Sequence, residues 1–100
     1  DVSEWRVVDE LDLDNAFTVS DRLSCIEWPS RNLRVEMVSD AVLGHMVIYT
    51  PKGQDFFCVE PVSHAPDAVN SLHPAELTGL HSLAPGETLS TRISLTIREA

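Results

Sequence analysis

The sequence has 100 residues, of which 43% are hydrophobic and 23% are charged. Seven basic residues (lysine or arginine) against 16 acidic ones (aspartate or glutamate) give a formal net charge of −9 at neutral pH. This length suits one domain with one modest core and excludes two domains. Because no basic face is present to neutralise phosphates, we expect neither nucleic acid nor a membrane surface as a partner.

The apolar runs and the two cysteines exclude further classes of protein. Apolar runs are short, as at Met46-Val47-Ile48, so the sequence predicts no membrane-spanning helix. Cys25 and Cys58 are too few for a disulfide framework and lack the paired spacing of a zinc site. We interpret them as small buried thiols and expect a reducing, cytoplasmic compartment. No metal and no other cofactor is predicted.

Short segments rich in β-branched and aromatic residues follow one another along the first sixty positions. In one of them, Leu33, Val35 and Met37 alternate with charged residues, which is the period of a half-buried strand. The turn signal at residues 29–32 predicts that the second and third strands form a hairpin. The predicted strands cover residues 16–19, 23–28, 32–38, 45–49 and 56–60, and Pro61 is expected to end the last of these.

The C-terminal part of the sequence contains one long loop and one long strand. Residues 63–85 hold several prolines and histidines, which predicts an irregular loop with at most a helical turn near residues 74–77. A turn at Pro85-Gly86-Glu87 leads into residues 89–98, whose strict alternation predicts a strand with one solvated face. No segment has the pattern of an amphipathic helix. The predicted fold class is therefore all-β, an antiparallel β-sandwich.

The run FFCVEPVSHAPDAVN at residues 56–70 contains the most informative carboxylate. Glu60 ends an apolar strand where the sheet opens into loops, so partial desolvation would raise its pKa and make it a usable general base. From the pattern alone, the other interpretation is a solvated strand-end glutamate or one paired with an arginine.

This run resembles the C-terminal signature of the aldose 1-epimerase (galactose mutarotase) family, in which a strand ends in Glu and Pro-Asp-Ala follows a few residues later. Asp14-Asn15-Ala16-Phe17 is similar to the Asp-x-x-Phe segment of the same family. Residues 83–87 and the strand after them are similar to its closing turn and last strand. The resemblance runs in order from about residue 12 to residue 97, and only its central motif is specific.

The resemblance implies a mutarotase-like supersandwich enzyme that interconverts the α and β anomers of a free aldose. It implies that Glu60 is the general base and that Asp14 binds sugar hydroxyls. Asp12, two residues before Asp14, would face the same side and is the alternative carboxylate. In the family, the His that acts as the general acid and an Arg that contacts the sugar lie in an N-terminal part that has no counterpart here. We therefore expect residues 1–100 to be a single β-sandwich segment, the C-terminal part of a larger domain. Its expected partners are a small sugar and, through exposed strand edges, itself or the N-terminal part.

Other candidate residues have weaker support in the sequence. His64 is interpreted as a residue that orders the loop or lies at its rim, and catalysis by its imidazole is disfavoured. Asp67 is expected to hold the loop through backbone amides. A metal site from His64, Asp67 and His73 lacks a recognised spacing, and His45 is interpreted as structural. Packing is the expected role of the aromatic residues, although each could border a sugar site: Trp5, Trp28, Tyr49 and Phe57. The alternative function is a sugar-binding or structural β-module without chemistry.

Overall fold

Six β-strands form the regular framework of the protein in a computed structural model, which describes residues 4–19 and 21–99. The strands are β1 (Asp14–Thr18), β2 (Leu23–Trp28), β3 (Leu33–Ser39), β4 (His45–Tyr49), β5 (Cys58–Val62) and β6 (Ile93–Glu99). They form two three-stranded sheets of order β1-β4-β5 and β2-β3-β6. All four strand pairings are antiparallel, so the predicted all-β class is confirmed.

The predicted hairpin of the second and third strands is confirmed as β2 and β3. A short 3-10 turn at Pro29–Arg31 joins them, and Asn32 closes the turn in the left-handed region at φ 51°. Asparagine tolerates this conformation better than most residues, which explains its place before Leu33. One face of this sheet is polar and carries the ion pairs Arg34–Glu27 and Arg98–Glu36.

The prediction that Pro61 ends the fifth strand is wrong. β5 runs through Pro61, which lies opposite Met46 of β4. Because β5 is an edge strand of its sheet, it has hydrogen-bonding neighbours on one side only and tolerates a residue without an N–H. Glu60 therefore lies inside a strand rather than at its end.

The sixth strand begins later than its sequence pattern predicts. β6 starts at Ile93, which lies opposite Ser39, the last residue of β3. Residues 89–92 keep the alternating pattern but extend past the end of β3, and one further hydrogen bond, from the Asp40 N–H to the Arg92 carbonyl, follows at 3.2 Å. An alternating pattern does not by itself provide a partner strand, which is why the predicted strand was longer than β6.

The segment between β5 and β6 is irregular, as predicted. It contains a 3-10 turn at Ala68–Asn70 and a single helical turn, α1, at Ala75–Thr78. The helical turn ends at Gly79, which is in the left-handed region at φ 76°. Among residues 4–19 and 21–99, no helix has the length and apolar character needed to cross a bilayer.

The protein buries few apolar side chains. In the part that the structure describes, the buried apolar residues are Leu43, Met46 and Ala68. The accessible surface is 7601 Å², against about 5,700 Å² expected for a closed domain of this mass. The radius of gyration is 15.3 Å, compared with about 13 Å for a compact chain of this length. The modest single core expected from the length is therefore smaller than predicted.

Part of the surplus surface is apolar and lies on β6. Ile93, Leu95 and Ile97 share one face of the strand and are 45%, 64% and 72% exposed. The sequence pattern predicted one solvated face for this strand, whereas both faces are exposed. The two free cysteines, Cys25 and Cys58, are half-buried rather than buried.

Substitutions in the two sheets should have very different effects on the free energy of unfolding. Met46 is 6% exposed in the middle strand of its sheet, so Met46→Ala should lower the free energy of unfolding by about 2 kcal/mol or more. Ile97→Ala removes an exposed side chain and should change it by no more than about 0.5 kcal/mol. Urea denaturation of both variants checks this, and equal losses would show that β6 is covered.

Candidate functional site

One face of the β1-β4-β5 sheet gathers the carboxylates singled out in the sequence. Residues directly opposite in antiparallel strands share a face, and the face alternates along each strand. Asp14 lies opposite Tyr49, and Glu60 lies opposite Val47, which in turn lies opposite Ala16. Asp14 and Glu60 therefore lie on the same face, together with His45.

Asp14 and Glu60 are separated by the middle strand of the sheet. They are two strands and two residues apart, which places their Cα atoms about 12 Å from each other. Both side chains are exposed. The desolvation expected for Glu60 is thus absent among the described residues, because its strand lies at an open edge of the sheet.

Asp12, the alternative sugar-binding carboxylate, lies outside the sheet. It precedes β1 and forms a surface ion pair with Lys52, at 3.8 Å between the carboxylate and the ammonium. Asp14 instead is the first residue of β1, in agreement with a strand that opens at the Asp-x-x-Phe segment. The two aspartates are therefore in different environments, which the sequence spacing did not reveal.

A cavity of about 340 Å³ lies between this sheet face and the irregular segment after β5. Its sheet side is formed by Ala16, Thr18 and His45, and its other side by residues between positions 65 and 78. This second side, which we call the roof, is tied together by a hydrogen bond from the Ala65 N–H, just after β5, to the Thr78 carbonyl at 2.7 Å.

Gly79 sets how closely the roof approaches the chain that leaves β5. Its φ of 76° is readily adopted by glycine and is strained for other residues. A Cβ at this position would overlap the carbonyl oxygen of Ser63. Glycine is therefore required here both for its conformation and for its lack of a side chain.

His45 is a buried polar residue of the cavity wall, as is Thr78. Its side chain is 8% exposed, and its Nε2–H donates to the Leu77 carbonyl in α1 at 3.2 Å. The other ring nitrogen, Nδ1, is buried and has no hydrogen-bond partner among the described residues. His45 has the structural role predicted for it, because its hydrogen bond to Leu77 joins β4 to the roof. This bond leaves Nδ1 without a partner among the described residues.

The histidines and the aspartate of the loop do not converge on a common site. His64 is exposed, and its Nδ1 contacts the Ser63 hydroxyl at 2.8 Å. Asp67 accepts a hydrogen bond from the side-chain amide of Asn70 at 2.6 Å, rather than from backbone amides as predicted. Across residues 4–19 and 21–99, no group of three histidine, cysteine or carboxylate side chains is arranged to hold a metal ion.

A second, wider groove lies between the segment before β1, the β2-β3 hairpin and the loop after β4. Trp28 at the end of β2 contacts Phe57, with ring centroids 6.3 Å apart. Arg34 lies 5.7 Å from the ring centroid of Trp5, and its Nε–H donates to Glu27 at 2.8 Å. The hydrogen bond with Glu27, and then the negative charge of Glu27, raise the pKa of Arg34 above its ordinary value. Trp5, Trp28 and Phe57 thus border the groove, and Tyr49 instead packs edge-on against Phe56.

His45 is the site residue that sequence reasoning undervalued. The sequence did contain one indication of its importance. His45 is the first residue of an apolar strand and lies two residues before Val47, so the two side chains are on the same face of the sheet. That spacing did not show that the loop after β5 folds back over this face. The burial of His45 depends on that long-range contact.

Comparison with known proteins gives a partial match. The uncharacterized protein YphB of Escherichia coli (strain K12) is 49% identical to this chain over 43 residues, which are 43% of this chain and 14% of that protein. The matched stretch thus spans about one seventh of the relative's length. No protein family matches the chain, and no solved structure matches it.

Replacing Gly79 should loosen the roof. Gly79→Ala combines a left-handed backbone, costing about 1–2 kcal/mol for a residue with a Cβ, with an overlap at the Ser63 carbonyl. Hydrogen exchange of the Ala65 amide should accelerate, because its bond to Thr78 would open more often. Gly53→Ala is the matched control, since Gly53 has φ 74° but open space where a Cβ would lie. Equal exchange at Ala65 in both variants would contradict this account.

Proposed function

We propose that the protein contributes to an aldose 1-epimerase-like isomerase that interconverts the α and β anomers of a free sugar. The observation that carries the proposal is that Asp14 and Glu60, from two distant motifs, lie on one sheet face. The order of the three motifs along the chain supports it as well. Carboxylates can accept hydrogen bonds from the hydroxyls of a neutral sugar.

In this reaction Glu60 acts as the general base. Its carboxylate takes the proton of the anomeric hydroxyl while an acid protonates the ring oxygen, so the C1–O5 bond breaks and an open aldehyde forms. Rotation about C1–C2 and the reverse proton transfers close the ring with the other configuration. Asp14 accepts hydrogen bonds from sugar hydroxyls and orients the ring. The acid comes from outside the described residues.

We further propose that the two sheets belong to a larger mutarotase-like sandwich in a reducing, cytoplasmic compartment. The exposed apolar face of β6 supports this, because Ile93, Leu95 and Ile97 would be covered by additional strands. Additional protein over the first sheet would also desolvate Glu60, which a general base near neutral pH requires. The partner would be further residues of the same protein or, through strand edges, a second copy.

The second candidate is a sugar-binding β-module without catalysis. The groove bordered by Trp5, Trp28 and Phe57 favours it, since aromatic rings stack on the apolar faces of sugars. In this case Glu60 would remain a solvated residue of an edge strand. The two candidates differ in whether the protein accelerates anomer exchange or only binds sugar.

Polarimetry of freshly dissolved α-galactose tests the catalytic proposal on the larger intact protein of which this chain is proposed to be a part. Glu60→Gln should lower kcat by about 100-fold or more, because the general base is lost. Asp14→Asn should raise KM by about 10-fold, because a charged hydrogen-bond acceptor is replaced by a neutral one.

Glu10→Gln is the matched control, since Glu10 is an exposed carboxylate that borders neither the sheet face nor the groove. It should leave both constants unchanged. If the intact protein does not exceed the buffer rate, or if Glu60→Gln retains full activity, the catalytic proposal fails. Binding of galactose without acceleration would then favour the second candidate.

A further inference from the structure

Thr50, the residue after β4, holds the chain that leads into Asp14. We propose, on the basis of the proposed function, that Thr50 is a positioning residue for the sugar-binding carboxylate of Asp14 and acts through Leu13. Thr50 is 4% exposed. Its effect on the sugar is therefore indirect, through the part of the chain to which it is bonded.

Two hydrogen bonds join Thr50 to Leu13. The Thr50 N–H donates to the Leu13 carbonyl at 2.8 Å, and the Leu13 N–H donates to the Thr50 hydroxyl at 2.8 Å. The hydroxyl takes the place that a backbone carbonyl has in a regular antiparallel pair. A side chain thus extends the pairing of β1 with β4 by one residue, up to the position next to Asp14.

The hydrogen-bond pattern of β1 shows why Asp14 depends on these bonds. Bonded and non-bonded pairs alternate along an antiparallel ladder. Leu13 is bonded to Thr50, and at the other end of β1 the Val19 N–H donates to the Gly44 carbonyl at 2.9 Å, so Asp14 occupies a non-bonded position. Without the bonds at Leu13, Asp14 would lie beyond the last bonded pair of an edge strand.

Other contacts around Asp14 are exposed and contribute less. The ion pair of Asp12 with Lys52 spans 3.8 Å, and its side chains are 66% and 75% exposed. Exposed ion pairs contribute little, because water and salt screen both charges. The Asp14 N–H donates to the side chain of the neighbouring Asn15 at 3.2 Å, which does not join it to β4. Among the described residues, the buried Thr50 is therefore the main tie between this segment and β4.

A carboxylate that is already held in place binds a ligand more tightly than a mobile one. Asp14 is exposed and is the first residue of a five-residue strand, and strand ends open more readily than strand centres. A mobile carboxylate loses conformational freedom when it accepts hydrogen bonds from a ligand, which weakens binding. The Thr50 hydroxyl should therefore affect KM and leave kcat unchanged, because Glu60 lies on a different strand.

Polarimetric kinetics of the intact protein with galactose test the proposal. Thr50→Val keeps the shape of the side chain and removes the hydroxyl, so KM should rise about three- to tenfold with kcat unchanged. Thr50→Ser retains a hydroxyl and should restore KM. In an Asp14→Asn background, Thr50→Val should cause no further rise of KM, because the carboxylate through which it acts has been removed.

Thr78→Val is the matched control. Thr78 is 5% exposed, and its hydroxyl likewise accepts a backbone N–H, that of Leu80, at 3.4 Å. This variant should leave KM unchanged although it also loses a buried hydroxyl. An equal rise of KM in both valine variants would show a general loosening of the fold and would overturn the proposal. Additive effects of Thr50→Val and Asp14→Asn would overturn it as well.

Hydrogen exchange tests the bond to Leu13 without any substitution. In the unmodified protein, the Leu13 amide should exchange at least about tenfold more slowly than in an unstructured chain. Exchange at the unstructured rate would overturn the proposal even if Thr50→Val does not fold. An active protein in which Thr50→Val leaves KM unchanged would overturn this inference alone. If the intact protein does not exceed the buffer rate, the proposed function fails, and the positioning role of Thr50 fails with it.

Discussion

The register of β4 is the constraint on which the candidate sites depend. β4 hydrogen-bonds to β1 on one side and to β5 on the other, so it decides which residues of three strands share a face. Because side chains alternate with a period of two, a slip of one residue would send His45 to the opposite face. Asp14 and Glu60 belong to one face only because both of their strands are paired to β4 in this register.

The roof is the second structural feature, and it depends on the first. His45 can reach the Leu77 carbonyl only from the face that the register gives it. The roof is anchored at its other end by the bond between Ala65 and Thr78, and Gly79 allows the close approach to Ser63. These contacts turn a four-residue helical turn, which would not be stable alone, into a fixed wall of a cavity.

The two sheets differ in how well their apolar side chains are buried. The first sheet buries Met46 and is partly covered by the roof. The second has a polar face with ion pairs and an apolar face that is open along β6. An open face of this kind fits a protein whose hydrophobic surface is completed by further strands, and the surplus accessible surface points the same way. The catalytic proposal needs cover over Glu60 in the first sheet, whereas the proposed larger sandwich would cover the apolar face of β6 in the second.

The sequence by itself determined the strands, the β2-β3 hairpin and the irregular segment after β5, because side-chain alternation and turn residues are local signals. It also singled out Asp14 and Glu60. Only the tertiary structure decided that β5 continues through Pro61, that β6 begins at Ile93, and that His45 is buried. These outcomes depend on which strand lies beside which and on where a loop returns. Such contacts join residues far apart in the chain, and no local pattern encodes them.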